Sequence, residues 1–309
     1  MLVYHLAGRY NPLLDKYRDK VSGWTTEKEL WHQVRQAFIA EGPVLLKETG
    51  QTEPPFNPVL GLQHRGVHAF RYIEDLREEA RLNPTEDGFV LWLKRGLGLP
   101  DTFDVNNSSL PTRLRTTLGH ELGHTFFFDT SCRPPKPFVS YLNSSERRHS
   151  FNEEWWCMDF ARAFLIPEFW VAEHMKRTQF PSLELASQIK DQLIVSWDVL
   201  LRRFLWDLKF WTACVIFRVD TLRQQLTGLW KTDEFKKWSF NRWLEFEGMR
   251  LITQDSERHI DGGETMVEIS TSKGERFQLR LLRTSTPNVL MGAICTSFQS
   301  TIGSLAARH

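Results

Sequence analysis

The run His120-Glu121-Leu122-Gly123-His124 constrains this chain more than any other feature. On a helix, residues four apart share a face, so imidazoles at 120 and 124 can reach one tetrahedral zinc ion. The carboxylate at 121 then lies beside them, within reach of a water on that ion. The spacing has this meaning only if the segment is helical. Leu118 and Leu122 fall on the side away from the histidines, and Gly119 and Gly123 let other backbone approach closely. A buried helix is therefore predicted, with His120 and His124 as zinc ligands. Glu121 is the general base, taking a proton from water and passing it to a leaving amine. Phe126, Phe127 and Phe128 are read as core packing just beyond it.

Two histidines leave a third protein ligand to find. The extended pattern with another histidine six residues after the second is excluded, because Thr130 stands there and Phe127 replaces the pattern's glycine. Asn152 to Ala161 reads as part of a second helix that offers a carboxylate, and Glu153 and Glu154 are equivalent on chemistry alone. Acidic residues are also ordinary at a helix start, where they face the positive end of the dipole. Asp129 and His149 are weaker candidates.

Around this centre the periodicity predicts a helix over Thr26 to Ile39, a Pro-bearing turn over Gln51 to Pro58, and an amphipathic helix over Phe70 to Leu82. A strand is predicted at Phe89 to Leu93, whose edge is offered as a docking line for an extended peptide, and a loop runs from Gly96 to Pro111. Helices are predicted over Leu114 to Phe128, Glu153 to Ile166, Leu183 to Leu193 and Trp197 to Leu208. After about Lys209 the hydrophobic period changes from 3.6 to 2. Strands are predicted at Trp211 to Val219, around Val267 and Ile269, around Phe277 to Leu281, and at Val289 to Cys295, with a helix over Trp230 to Trp243. The expected fold class is α+β, with a domain over 1–208 whose residues from about 180 form a helical region, and a small domain over 209–309.

The chain has 309 residues with 41 % hydrophobic and 25 % charged content, which suits two packed domains. No apolar run approaches the roughly 18 residues of a membrane span, and His5 and Arg9 interrupt any secretory signal, so a cytoplasmic protein without a membrane partner is expected. Cys132, Cys157, Cys214 and Cys295 show no paired spacing, and reduced thiols are the default. The net charge of +1 divides into −3 over residues 1–200 and +4 over residues 201–309. That tail excess suits either polyanion binding or ordinary solvated surface.

Arg113-Leu114-Arg115-Thr116-Thr117-Leu118-Gly119 leading into the HELGH run resembles the signature of the ImmA/IrrE family of zinc metallopeptidases. Glu154, Phe160-Ala161 and Leu165-Ile166-Pro167 resemble that family's E-x-x-A-N-x-F-A…L-L-x-P helix, although Cys157-Met158 stands where Ala-Asn is usual. Val195-Ser196, Leu200 and Arg202-Arg203-Phe204 resemble a stretch of the helical region that follows. The resemblance spans residues 89 to 208 and implies a zincin-like fold with Glu154 as third zinc ligand. It also implies cleavage of a helix-turn-helix repressor that controls prophage, DNA-damage or anti-phage defence genes, and a GAF-like sensor domain at the C-terminus.

With the +4 tail, single-stranded DNA is the first activator to expect. Cys132 follows His124 by eight residues in a loop with Pro134, Pro135 and Pro137, and a thiolate there is expected to fold over the zinc as an inhibitory ligand. Cys157, three residues after Glu154, is its competitor. The contrasting class is a non-catalytic zinc-containing regulator whose C-terminal domain binds nucleic acid or a small ligand; retention of Glu121 argues against it. A DNA-binding factor built on the Leu183 to Phe204 helices lacks a concentrated basic recognition face.

Overall fold

Thr26 opens the first long helix, α1 (Glu27–Glu48), with a capping box: the Glu29 backbone N–H donates to Thr26 Oγ1, and the Thr26 N–H donates to the Glu29 carboxylate. The computed structural model describes residues 13–96, 110–138, 150–175, 182–212, 214–223, 225–232, 263–270, 276–286 and 288–296. The chain is α+β and forms two compact units: Met1–Val171 with Gln192–Val199, and Ala172–Asp191 with Leu200–His309. It thus crosses between units at three points, whereas the sequence reading places one boundary near residue 208. No helix among the described residues is long and apolar enough to cross a membrane.

In the first unit Pro58 occupies the first turn of α2 (Pro58–His64), where its missing N–H is harmless and the Asn57 side chain caps the turn. The segment read as a helix over Phe70 to Leu82 is instead part of a sheet, with β1 (Val67–Ile73), a turn, then β2 (Ala80–Thr85) and β3 (Gly88–Lys94). The charges at 71, 74, 75 and 77–79 imitate helical periodicity, but Phe70, Tyr72 and Ile73 favour extended backbone, and β1 is secured by pairing with β3. Strand order is β1-β3-β2, parallel then antiparallel. The predicted strand exists but is central, with both edges paired, so the sheet's outer edges belong to β1 and β2. This corrects the expected docking line.

Helix α3 (Thr112–His124) carries the HELGH run and ends at His124, not Phe128; a 3-10 turn (Thr125–Phe127) follows, then β4 (Phe128–Asp129), which pairs with β5 (Lys136–Pro137). Helix α4 (Ser150–Leu165) lies against α3 and α1. Phe38 of α1 stacks on Phe160 at 5.3 Å and meets Phe126 and Phe127 edge-on at 5.9 and 5.6 Å, so both of the latter pack in the core as expected. Phe128 differs: it meets Phe89 edge-on at 5.2 Å and also lines the cleft described below.

Helices α5 (Glu168–His174), α6 (Leu183–Leu193) and α7 (Trp197–Arg202) follow. The second unit contains an antiparallel sheet of β6 (Cys214–Asp220), β7 (Gln225–Lys231), β8 (Glu264–Ser270), β9 (Arg276–Arg283) and β10 (Val289–Thr296), in the order β7-β6-β10-β9-β8. Trp230 lies in a strand rather than opening a helix, and β7 escaped the sequence reading because Gln225, Thr227 and Gly228 dilute its apolar pattern. Residues 233–243 of that expected helix and most of the loop from Gly96 lie outside the described residues, as do Met1–Tyr10 and His149.

Candidate metal centre

Two interlocking steps of small residues set the distance between α3 and α4. A Cβ added at Gly119 would stand 3.2 Å from Ala161 Cβ, and one at Gly123 would stand 3.0 Å from Cys157 Cα. These glycines let the helices close until side chains one turn apart on α3 face the acidic start of α4. Cys157 is buried and serves this packing, with burial pushing its thiol up to about 11. Gly123→Val should therefore force α4 outward, costing about 1–3 kcal/mol of stability. Metal affinity should fall with it. Thermal melting alongside metal analysis checks both.

His120 Nε2 and His124 Nε2 lie 3.0 Å apart, and Glu154 reaches them with Oε2 3.0 Å from His120 Nε2 and Oε1 3.5 Å from His124 Nε2. Two imidazole lone pairs cannot face each other at that distance without a proton or a cation between them. In a tetrahedral site with bonds near 2.1 Å, ligand atoms stand about 3.4 Å apart, close to the spacings here. The donor set therefore fits a metal ion. Among the described residues His120, His124 and Glu154 form the group able to hold one.

Glu153 does not join them. Its Oε1 lies 2.9 Å from His124 Nδ1, the ring nitrogen turned away from the centre. A carboxylate there fixes the tautomer and ring angle of a metal-bound histidine. The geometry thus separates the two glutamates: Glu154 stands with the two imidazoles in the group that could hold an ion, and Glu153 contacts only the far nitrogen of the His124 ring. Glu153→Ala should weaken metal binding by about 10–100-fold without abolishing it, as read by competition with a chromophoric chelator. His120 Nδ1 is buried with no such partner among the described residues.

Glu121 is buried, and desolvation raises its carboxyl above the ordinary range, opposed by His124 and His120. The Leu82 backbone N–H donates to it. Hydrogen bonds from His120 and His124 hold Glu154 far below the usual carboxylate range. For His124, burial pulls the ring down, but Cys157, Glu153 and Glu154 together hold it well above 6.5.

Cys132 is not brought to the centre. Its Sγ donates to Asp129 Oδ2 at 3.5 Å, within a turn where Asp129 Oδ1 also accepts from the Ser131 N–H and hydroxyl. That local hydrogen bonding occupies both residues and corrects the expected fold-back of the thiol. Asp129 likewise does not belong to the group formed by His120, His124 and Glu154.

The centre lies in a cleft of about 830 Å³ within the first unit. Arg113, Thr116, Thr117, His120 and His124 line one wall along a single face of α3, with Ala80, Arg81 and Leu82 of β2 opposite. Glu79, at the entrance to β2, is tied to α3: Arg113 pairs with its carboxylate and Thr117 Oγ1 donates to it at 2.8 Å. Sequence reasoning missed β2 and Glu79, since only the sheet order makes that strand an edge.

No family model and no curated protein matches the chain. Among solved structures it is similar to a Mycobacterium tuberculosis transcriptional regulator, at 13 % identity and a TM-score of 0.46, over 93 % of this chain and 81 % of that one.

Proposed function

We propose that this chain is a cytoplasmic zinc endopeptidase of the ImmA/IrrE kind, zincin-like in its first unit, that cleaves a helix-turn-helix transcriptional repressor and so relieves repression in a stress, prophage or anti-phage response. The observation that carries the reading is the convergence of His120, His124 and Glu154 in an open cleft with a buried carboxylate, Glu121, beside them. A structural metal site needs neither the cleft nor the base. Two imidazoles and one carboxylate suit zinc, which would supply Lewis acidity to the scissile carbonyl and make water acidic enough to lose a proton near neutrality.

The residues of the chain divide the remaining work. Glu121 takes the proton from the attacking water and hands it to the leaving amine. Glu153 holds the His124 ring in place. Lys94 N donates to Glu79 O, which turns the alternate positions 80 and 82 of β2 toward its free edge, where Leu82 N–H meets Glu121. An extended substrate segment adds along that edge by backbone pairing, and Pro84, which has no N–H, interrupts it.

The second unit, with its β7-β6-β10-β9-β8 sheet, suits a GAF-like sensor, and single-stranded DNA is the activator to try first. The test is incubation of the zinc-loaded protein with a helix-turn-helix repressor encoded beside its gene, with and without single-stranded DNA. Discrete repressor fragments that vanish on chelation and return with zinc support the reading. An intact repressor under every condition, from a protein shown to hold zinc, overturns it.

A further inference from the structure

Cys214 and Cys295 are 81 positions apart in sequence and directly opposite one another in the second unit, paired across β6 and β10. The phase of that ladder is set by Thr221 N–H donating to Asn288 O, which makes the odd positions of β6 the hydrogen-bonded ones and leaves the 214/295 pair non-hydrogen-bonded. The backbone of Cys214 agrees: its N–H donates to Thr232 Oγ1 and its carbonyl accepts from Thr232 N–H, so both point toward β7 and away from β10. At a non-hydrogen-bonded antiparallel pair the Cα atoms stand about 4.5 Å apart, and the two side chains leave the same face in contact. That separation falls just inside the range that disulfides span.

We propose that Cys214 and Cys295 form a reversible cross-strand disulfide, a redox modification site within the sheet of the second unit. Both cysteines are reduced in this structure and nearly devoid of solvent exposure. Register puts them on the same face as Gln278, Arg280 and Glu264, and the Arg280 guanidinium bonds Glu264 Oε1 at 3.1 Å while remaining partly exposed. The same face also carries the buried Ile216, Ala293, Met291 and Leu282, so only a small oxidant can reach the pair. Burial pushes the Cys295 thiol up to about 12, against the pull of Arg280, so oxidation is slow and selective for a small oxidant.

With a peroxide the balance is complete. One thiolate attacks a peroxide oxygen, the O–O bond breaks, and a sulfenic acid and water result. The second sulfur then attacks the first, the S–O bond breaks, and a second water leaves. The two thiols lose two electrons and the peroxide gains them. An excess of a dithiol should reopen the bridge by thiol–disulfide exchange.

The inference stands apart from peptidase activity and is read by mass. The full chain is treated with hydrogen peroxide, quenched with catalase, denatured, alkylated and digested. The expected product is a linked Cys214–Cys295 peptide, two hydrogens lighter than its components, that separates on reduction. It should persist in the Cys132→Ser, Cys157→Ser double variant and disappear in Cys295→Ala. If both cysteines of the folded wild-type chain are recovered alkylated, oxidised singly to sulfinic acid, or bonded to Cys132 or Cys157 instead, the proposal is overturned.

Discussion

Glu121→Gln should leave zinc bound at wild-type stoichiometry while repressor cleavage falls by about 10²–10⁴-fold, the range a lost general base costs. Glutamine keeps the shape and can accept the Leu82 N–H hydrogen bond, but it cannot take the proton of the attacking water. The buried position gives the amide no reason to be unfolded there, since removing a desolvated carboxylate is neutral or favourable for stability. Rate and metal content must be measured on the same preparation. A variant that cleaves normally removes Glu121 from the chemistry, and one that loses its zinc shows a different role.

Glu154→Ala should have the larger effect on the metal itself. Among the described residues it removes the only carboxylate that approaches both His120 Nε2 and His124 Nε2, so two candidate ligands would remain where three converge. Zinc affinity should drop by more than the about 10–100-fold expected when an orienting partner such as Glu153 is lost. Chelator competition on the two alanine variants side by side separates the roles. Equal losses, or a greater loss at 153, would exchange the assignments.

The HELGH helix could be read from sequence because the i, i+4 rule is local: it requires only that α3 be a helix, and Leu114, Leu118 and Leu122 supply the buried stripe that makes it one. Gly119 and Gly123 likewise announced a close backbone approach, though not that Ala161 and Cys157 of α4 would make it. The choice between Glu153 and Glu154 was not local. Adjacent helical residues point about 100° apart, and which one meets the histidines depends on how α4 lies across α3. The first sheet was partly hidden for a related reason. Strand β3 is apolar enough to identify itself, but β1 and β2 carry His68, Arg71 and Arg81 at exposed positions and become strands through their pairing with β3. The Cys214–Cys295 juxtaposition depends entirely on the register of β6 against β10, which no spacing rule reveals.

The most direct measurement for this account is an anomalous-difference map collected at the zinc edge from crystals of the zinc-loaded chain. It should show one ion per chain, within about 2.0–2.2 Å of His120 Nε2, His124 Nε2 and a Glu154 carboxylate oxygen, with Glu153 outside the coordination shell. An ion held by Glu153 or Cys132 in place of Glu154, or no zinc at this centre, would contradict it.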